Sequence, residues 1–327
     1  MLKMIDNAIY FPYIRVPENE WFTRTLLYWD KIGTITPSEY AKEPQRLGKF
    51  MYDLISNDLL EPIIPGKYVN KIPNWEGAFL EIIDKDQEIS HRTGVAIERG
   101  ETTPIHLEKF SPIMDDLMDR GLVTEAQEPW FNVERKTADL FMAYMSLALG
   151  STEKLQMTPI TDQDDSLSAF GINQPTVEAV SRMQYKMIEK LLPSPQIGVP
   201  VKEIVDFKNE NYELLKQFRR HIESEINSLV LIDDEFIRSR EFILIQDKLI
   251  EDIEEIEKKM KRKWRRVIYS IVKGIGLGVP VGVAIASGNV PQIIGALYNA
   301  WNGSQSIQTR LSEKPMVYAA FARKEFG

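Results

Sequence analysis

The chain contains no cysteine. That excludes disulfides, thiolate nucleophiles and any zinc or iron–sulfur site built on sulfur. Histidine is almost as scarce. Its three copies, His91, His106 and His221, form no HExxH, HxH or HxxxH pair, so no spacing points to a metal. Positive charge is also short: 40 Lys and Arg stand against 48 Asp and Glu, a net charge of −8. General nucleic-acid binding needs a broad cationic face, which this balance does not supply. No GxSxG elbow occurs, and no repeat or low-complexity tract. The first residues, MLKMIDNAIYFPYI, lack a basic start, a long apolar centre and a small-residue cleavage site. They predict a cytoplasmic protein of bacterial type.

What the chain does have is apolar content. Hydrophobic residues make up 43% and charged residues 27% of its 327 positions, enough to build a core across about two domains. The segment AIYFPYI, at 8–14, is β-branched and aromatic and predicts a strand. In ENEWFTRTLLYW, Trp21, Thr25, Tyr28 and Trp29 recur at helical spacing, and KIGTITP reads as a second strand closed by Pro37. Strand, helix and strand in this span have the size of a βαβ unit. Further helices are predicted around Leu47, Phe50, Met51 and Leu54, after an N-cap at Asn74, after a cap at Ser111, and over ERKTADLFMAYMSLAL. EPIIPG, TPIHLEKF and MTPITD supply short strand candidates.

Within this first part, three groups could carry chemistry. The aromatic set Tyr10, Phe11, Tyr13, Trp21, Tyr28 and Trp29 predicts a packed core, or a pocket with Asp30 at its rim. Asp162, Asp164 and Asp165 could offer oxygen ligands to a hard cation, but no loop glycine or distal glutamate completes the motif, and a capping turn is the simpler expectation. His106 could pair with Glu108 across a site, or be a half-buried structural residue.

LLPSPQIGVP, at 191–200, holds three prolines and a glycine and cannot continue a helix, so it predicts the domain boundary. Beyond it the pattern is helical. Phe207, Leu214, Phe218, Ile222 and Leu229 form one stripe, and Phe236, Ile243, Ile250, Ile253, Ile256, Met260 and Trp264 another, after a cap at Asp233 or Asp234. Two such helices joined by a short turn predict an antiparallel hairpin.

The run GIGLGVPVGVAIASG, at 274–288, follows the basic stretch KKMKRKWRR. Its glycines miss the GxGxxG offsets, and it contains no Gly-Lys-Ser/Thr step, so a phosphate loop is excluded. Ser270, Gly274, Gly278, Gly282 and Ala286 instead recur every fourth residue, a ladder that lets a second helix backbone approach closely. Lys261, Arg262, Lys263, Arg265 and Arg266 could meet an anionic surface, or pair with the acidic residues one or two turns upstream.

The segments YFPYIRVPENEWFTRTLLYWDKIGTITP, LLPSPQIGVPVKEIVDFKNENYELLKQFRR and KPMVYAAFARKEFG resemble a bacterial family defined only as a domain of unknown function, over most of the chain. Such families travel with mobile elements and anti-phage genes, so the resemblance implies a link to phage defence. It implies no catalytic residues.

These readings converge on an α/β (or α+β) domain over 1–192 and an all-α arm over 193–327, mainly helical overall, with a glycine-rich apolar hairpin at 267–302. The leading function is a non-catalytic interaction or assembly protein, working with a protein partner or as a homo-oligomer, in the cytoplasm and peripheral to the inner membrane at most. A membrane-targeting effector that inserts the 267–302 hairpin is the first alternative, and an enzyme with a site in the α/β domain the second. No spacing calls for a cofactor or a metal.

Overall fold

The computed structural model describes residues 6–85, 101–164, 166, 168, 175–274 and 314–327, and the side chains of these except 175, 176 and 259–274. By backbone contacts the chain divides into two units: Met1–Glu189 with Ser194–Glu210, and Lys190–Pro193 with Asn211–Gly327. The proline-rich segment thus lies where the chain passes between units, and the stretch after it returns to the first. Mixed α/β architecture with mainly helical content is what the composition and periodicity predict.

In the first unit, strand β1 (Asn7–Tyr10) is followed by helix α1 (Glu20–Tyr28) and strand β2 (Ile32–Ile35). β1 is shorter than the predicted strand. The Phe11 amide still donates to the Ile160 carbonyl at 3.2 Å, but Pro12 has no N–H to continue the ladder. Asn19 caps α1, its Oδ1 accepting from the Phe22 amide at 3.0 Å. Helices α2 (Ser38–Lys42) and α3 (Lys49–Ser56) lead to strand β3 (Leu60–Ile63), and α4 (Trp75–Lys85) follows.

Strand β4 (Thr102–His106) passes directly into the short helix α5 (Leu107–Phe110), then α6 (Met114–Asp119). Ser111 opens the 3-10 turn between these helices and is the C-cap of α5, its amide donating to the Leu107 carbonyl, rather than the predicted N-cap; His106 N-caps α5. Strands β5 (Val123–Glu125) and β6 (Trp130–Glu134) form a hairpin, and β6 runs into α7 (Arg135–Gly150) with Glu134 as N-cap. Strand β7 (Met157–Ile160), helix α8 (Pro175–Leu191) and helix α9 (Val201–Glu210) complete the sequence around the boundary.

Two sheets result. β3, β2, β1 and β7 pair in that order, all parallel, and β4, β6 and β5 form an antiparallel sheet. Every residue of β2 is buried, as expected of an inner parallel strand covered on both faces. Between the sheets runs the core, where Phe79, Phe110 and Phe141 pack with edge-to-face rings 5.2–6.2 Å apart. Helix α9 belongs to this unit because the Lys208 ammonium donates to the carbonyls of Trp29 and Asp30.

The second unit is helical throughout its described residues. Helix α10 (Tyr212–Val230) buries Leu215, Phe218, Ile222, Ile226 and Leu229. After four intervening residues α11 (Glu235–Gly274) begins, capped by Asp234, whose Oδ1 accepts from the Ile237 amide at 2.9 Å. Helix α12 (Val317–Phe326) packs on both, with the Tyr318 ring 5.8 Å from that of Phe218.

The second predicted stripe needs correction. α11 buries Phe242, Leu249, Ile253 and Ile256, whereas Phe236 and Ile243 are exposed. At 100° per residue the latter lie roughly 120° round the helix from the former, so a stripe drawn through both sets mixes two faces of one helix.

Candidate functional site

Because β3, β2, β1 and β7 are parallel, their carboxyl ends share one edge of the sheet. From β1 the chain leaves toward β2, while β7 lies on the other side of β1. Ligands of open α/β sheets bind outside the carboxyl ends of strands where the connections diverge in this way. Here that position is a cleft at the ends of β1 and β7, walled by α1 and α8.

Tyr10 closes β1, and its hydroxyl donates to Asp162 Oδ1 at 3.1 Å. Burial first, then the Asp162 charge, raises the Tyr10 hydroxyl far above its ordinary value, so it remains a donor. Trp21 stands beside it with ring centroids 5.9 Å apart. Trp21, Arg24, Trp29, Gln184, Tyr185 and Glu189 line the cleft. The Arg24 guanidinium donates to the Ser194 hydroxyl, yet its Nε is buried without a hydrogen bond, and among the described residues no carboxylate lies within ion-pair range of it. The Tyr185 hydroxyl donates to Glu189 Oε1 at 3.4 Å, and burial followed by the Glu189 charge raises it.

Farther along the same edge, α2 and α5 bring together a second group. Glu108 Oε2 accepts from the Ser38 amide at 2.8 Å and the Ser38 hydroxyl at 2.9 Å. His106 Nδ1 accepts from the Glu108 amide at 3.2 Å, which places the imidazole hydrogen on Nε2. That nitrogen is buried without a hydrogen bond, 3.8 Å from Glu39 Oε1. Burial lowers the His106 pKa, against the pull of Glu39 and Glu108. Beside it Lys109 is 4% exposed, with neither a hydrogen bond nor an ion pair among the described residues. Burial brings its amine down to about 7. An ammonium that loses its proton near neutrality can act as a base or a nucleophile.

The sequence-predicted residues are distributed unevenly over this geometry. Of the aromatic set, Tyr10, Phe11, Tyr28 and Trp29 are buried and Tyr13 is half exposed. Trp21 and Trp29 reach the cleft, but Asp30 does not line it; its carbonyl serves Lys208. Asp162 is turned toward Tyr10, and Asp164 lies 3.7 Å from Arg182. No group of three or more His, Asp or Glu able to hold a metal occurs among the described residues. Glu108 uses its backbone rather than its carboxylate toward His106. His221 stands on α10, 3.8 Å from Glu225.

Ser270, Gly274, Lys261, Arg262, Lys263, Arg265 and Arg266 fall within the α11 backbone, with side chains outside the described residues, and Gly278, Gly282, Ala286, Asp165 and His91 lie outside altogether. No helix among the described residues is long and apolar enough to cross a membrane.

Sequence reasoning missed Lys109, Arg24 and Gln184. Nothing local marks them: a lysine in HLEKF or an arginine in FTRTLL reads as a solvated helix residue until the packing is known. Compared with family models, with curated proteins and with solved structures, the chain finds no match.

Proposed function

We propose that the chain is a non-catalytic interaction protein that assembles through its helical unit, two copies pairing along the first turns of α11. One observation carries this reading. Phe236, Ile237, Ile243 and Leu244 are all exposed, at 79%, 50%, 56% and 52%, on the face opposite the buried one. Their spacing of seven is that of a helix–helix seam.

Charge selects the occupant. Arg240 lies within this stripe and Asp247 at its end, both exposed and neither in an ion pair within the described chain. In an antiparallel pair with its two-fold axis between Ile243 and Leu244, Arg240 faces Asp247 of the second copy, and the contact repeats by symmetry. Ile243 then meets Leu244 of the second copy. In this reading α10 and α11 form an antiparallel hairpin whose tip is the contact surface. The resemblance to families that travel with anti-phage genes would make such an assembly a defence effector.

Sedimentation velocity on the full chain tests it. The dimer should convert to monomer in the double variant Ile243→Glu, Leu244→Glu. Arg240→Asp and Asp247→Arg should each weaken association about 2- to 10-fold, and their combination should restore it. A wild-type chain that stays monomeric at every concentration, or a charge swap that fails to rescue, sinks the proposal.

An enzyme working at the carboxyl edge of the parallel sheet is the second reading, favoured by the buried Lys109 amine beside His106, which has no hydrogen bond or ion pair among the described residues. The membrane-inserting alternative rests on 267–302, most of which lies outside the described residues.

A further inference from the structure

We propose that His106, Glu39, Glu108 and Ser38 form an acid-operated clasp between α2 and α5, in which a proton moves the imidazole from capping α5 to pairing with Glu39. Both helices are short, and each reaches the first turn of the other. Glu108, on α5, accepts from the Ser38 amide at 2.8 Å and from the Ser38 hydroxyl at 2.9 Å. Glu39, on α2, brings Oε1 to 3.8 Å from Nε2 of His106, the N-cap of α5. α2 follows β2 of the parallel sheet and α5 follows β4 of the antiparallel one, so the clasp ties the two sheets together.

The imidazole gives the clasp two states. Neutral His106 has one acceptor, Nδ1, and uses it for the Glu108 amide at 3.2 Å. Its hydrogen is on Nε2, which is buried without a hydrogen bond. A second proton can go only to Nδ1. The imidazolium then has two donors and no acceptor, so Nδ1–H faces the Glu108 N–H and the cap is lost. The same charge draws Nε2–H toward Glu39. There the 3.8 Å gap has to close by only about 1 Å to make a charge-assisted hydrogen bond. One protonation therefore breaks a contact on α5 and makes one on α2.

The surrounding charges set the pH range. α2 supplies Glu39, whose other oxygen lies 3.7 Å from Arg46, and α5 supplies Glu108 and Lys109. β6 supplies the Trp130 ring, edge-to-face at 5.2 Å. Burial opposes the imidazolium most strongly, Glu39 and then Glu108 favour it, and Lys109 opposes it. The capped form therefore persists at neutral pH, and the change falls below the ordinary histidine value of about 6.5. The unfolded chain takes up this proton more readily than the folded one, so acid weakens the fold as the clasp changes.

NMR on the full chain, from about pH 8 down to about pH 4.5, tests the clasp through amide exchange and the His106 ring signals. Protection of the Glu108 amide, corrected for the intrinsic exchange rate, should fall about fivefold, with the midpoint of the ring signals. Glu39→Gln removes the charge that receives the imidazolium and should move that midpoint to lower pH. His106→Asn keeps a neutral acceptor suited to an N-cap, so it should fold and hold the Glu108 amide equally at every pH. Carboxylate titration is common to wild type and this variant, and cancels between them. The melting temperature of each variant at neutral pH shows that it is folded. A Glu108 amide that ignores the His106 titration, or an equal loss in His106→Asn, overturns the proposal. So does a midpoint that Glu39→Gln leaves in place or raises. Loss of dimerisation in the α11 variants leaves this titration unchanged, so the two proposals fail separately.

Discussion

Lys109→Met is expected to stabilise the chain by about 1–4 kcal/mol at pH 7, the range found when buried charge is replaced by apolar volume. The gain should shrink as the pH is raised toward 10. Lys109 sits on α5 with 4% exposure and no hydrogen bond or ion pair among the described residues, so the folded state must hold its ammonium in an apolar setting or release the proton. Burial brings its pKa down to about 7, whereas in the unfolded chain the amine keeps the ordinary lysine value near 10.4.

The sign follows from proton counting. Between these two values the unfolded chain binds a proton that the folded chain does not, so stability of the wild type rises with pH across that window. Below about 7 the full penalty applies, and above the unfolded value it vanishes. Methionine has no such term. The difference between variant and wild type should therefore be largest at pH 7 and below, and smallest near pH 10. His106 does not confuse the comparison, because its lowered pKa confines its own linkage to pH values below its ordinary 6.5. Urea unfolding at pH 7 and pH 10 measures both ends. A variant less stable than wild type at pH 7, or a difference that ignores pH, would mean that Lys109 is not a buried unpaired cation. A residue that costs stability with no visible structural return is what a functional position looks like.

The same contrast explains how much of the molecule could be read from sequence. β1, α1 and β2 were legible because short range decides them: β-branched and aromatic runs closed by proline, and between them Trp21, Thr25 and Tyr28 at helical spacing. The proline-rich segment at 191–200 marks a first crossing between the units, but the chain passes into the second unit for good only after Glu210, inside a helical stretch that carries no proline or glycine to show it. The β5–β6 hairpin was not legible. VTE and WFNVE are too short to establish a two-residue period, and their register is fixed by β4, more than fifteen residues away in sequence. In the long helix α11, periodicity revealed the helix but assigned Phe236 and Ile243 to the core, because a sequence does not say where a packed face ends and an unpartnered one begins. The cleft was half legible. Its aromatic residues stood out, but the residues that give it charge come from α1 and α8, some 165 positions apart in the chain, and are brought together only by β7 adding to the far side of β1.

Gly150→Ala is expected to destabilise the chain by about 2–3 kcal/mol, although helix propensity alone would favour alanine by about 1 kcal/mol. Gly150 is the last residue of α7, and its backbone presses against β7. A β-carbon placed there would lie inside the van der Waals envelope of the Met157 carbonyl oxygen, with Ile9 Cγ2 a further 3.7 Å contact. The obstacle is backbone, not the end of a flexible side chain. Nor can that backbone retreat freely, since Met157 is in register with Asn7 where β7 joins β1. Steric overlap therefore outweighs propensity, and the closeness of helix to strand is what the glycine provides. Gly66 supplies the control: nothing lies within 4 Å of a β-carbon built there. Gly66→Ala should leave the melting temperature unchanged or slightly raised, as restriction of the unfolded chain predicts. Gly150→Ala should lower it by several degrees. Equal melting temperatures for the two variants would show that α7 can lift from β7 at little cost. The β1–β7 edge, and the cleft built on it, would then be compliant rather than held in place by this contact.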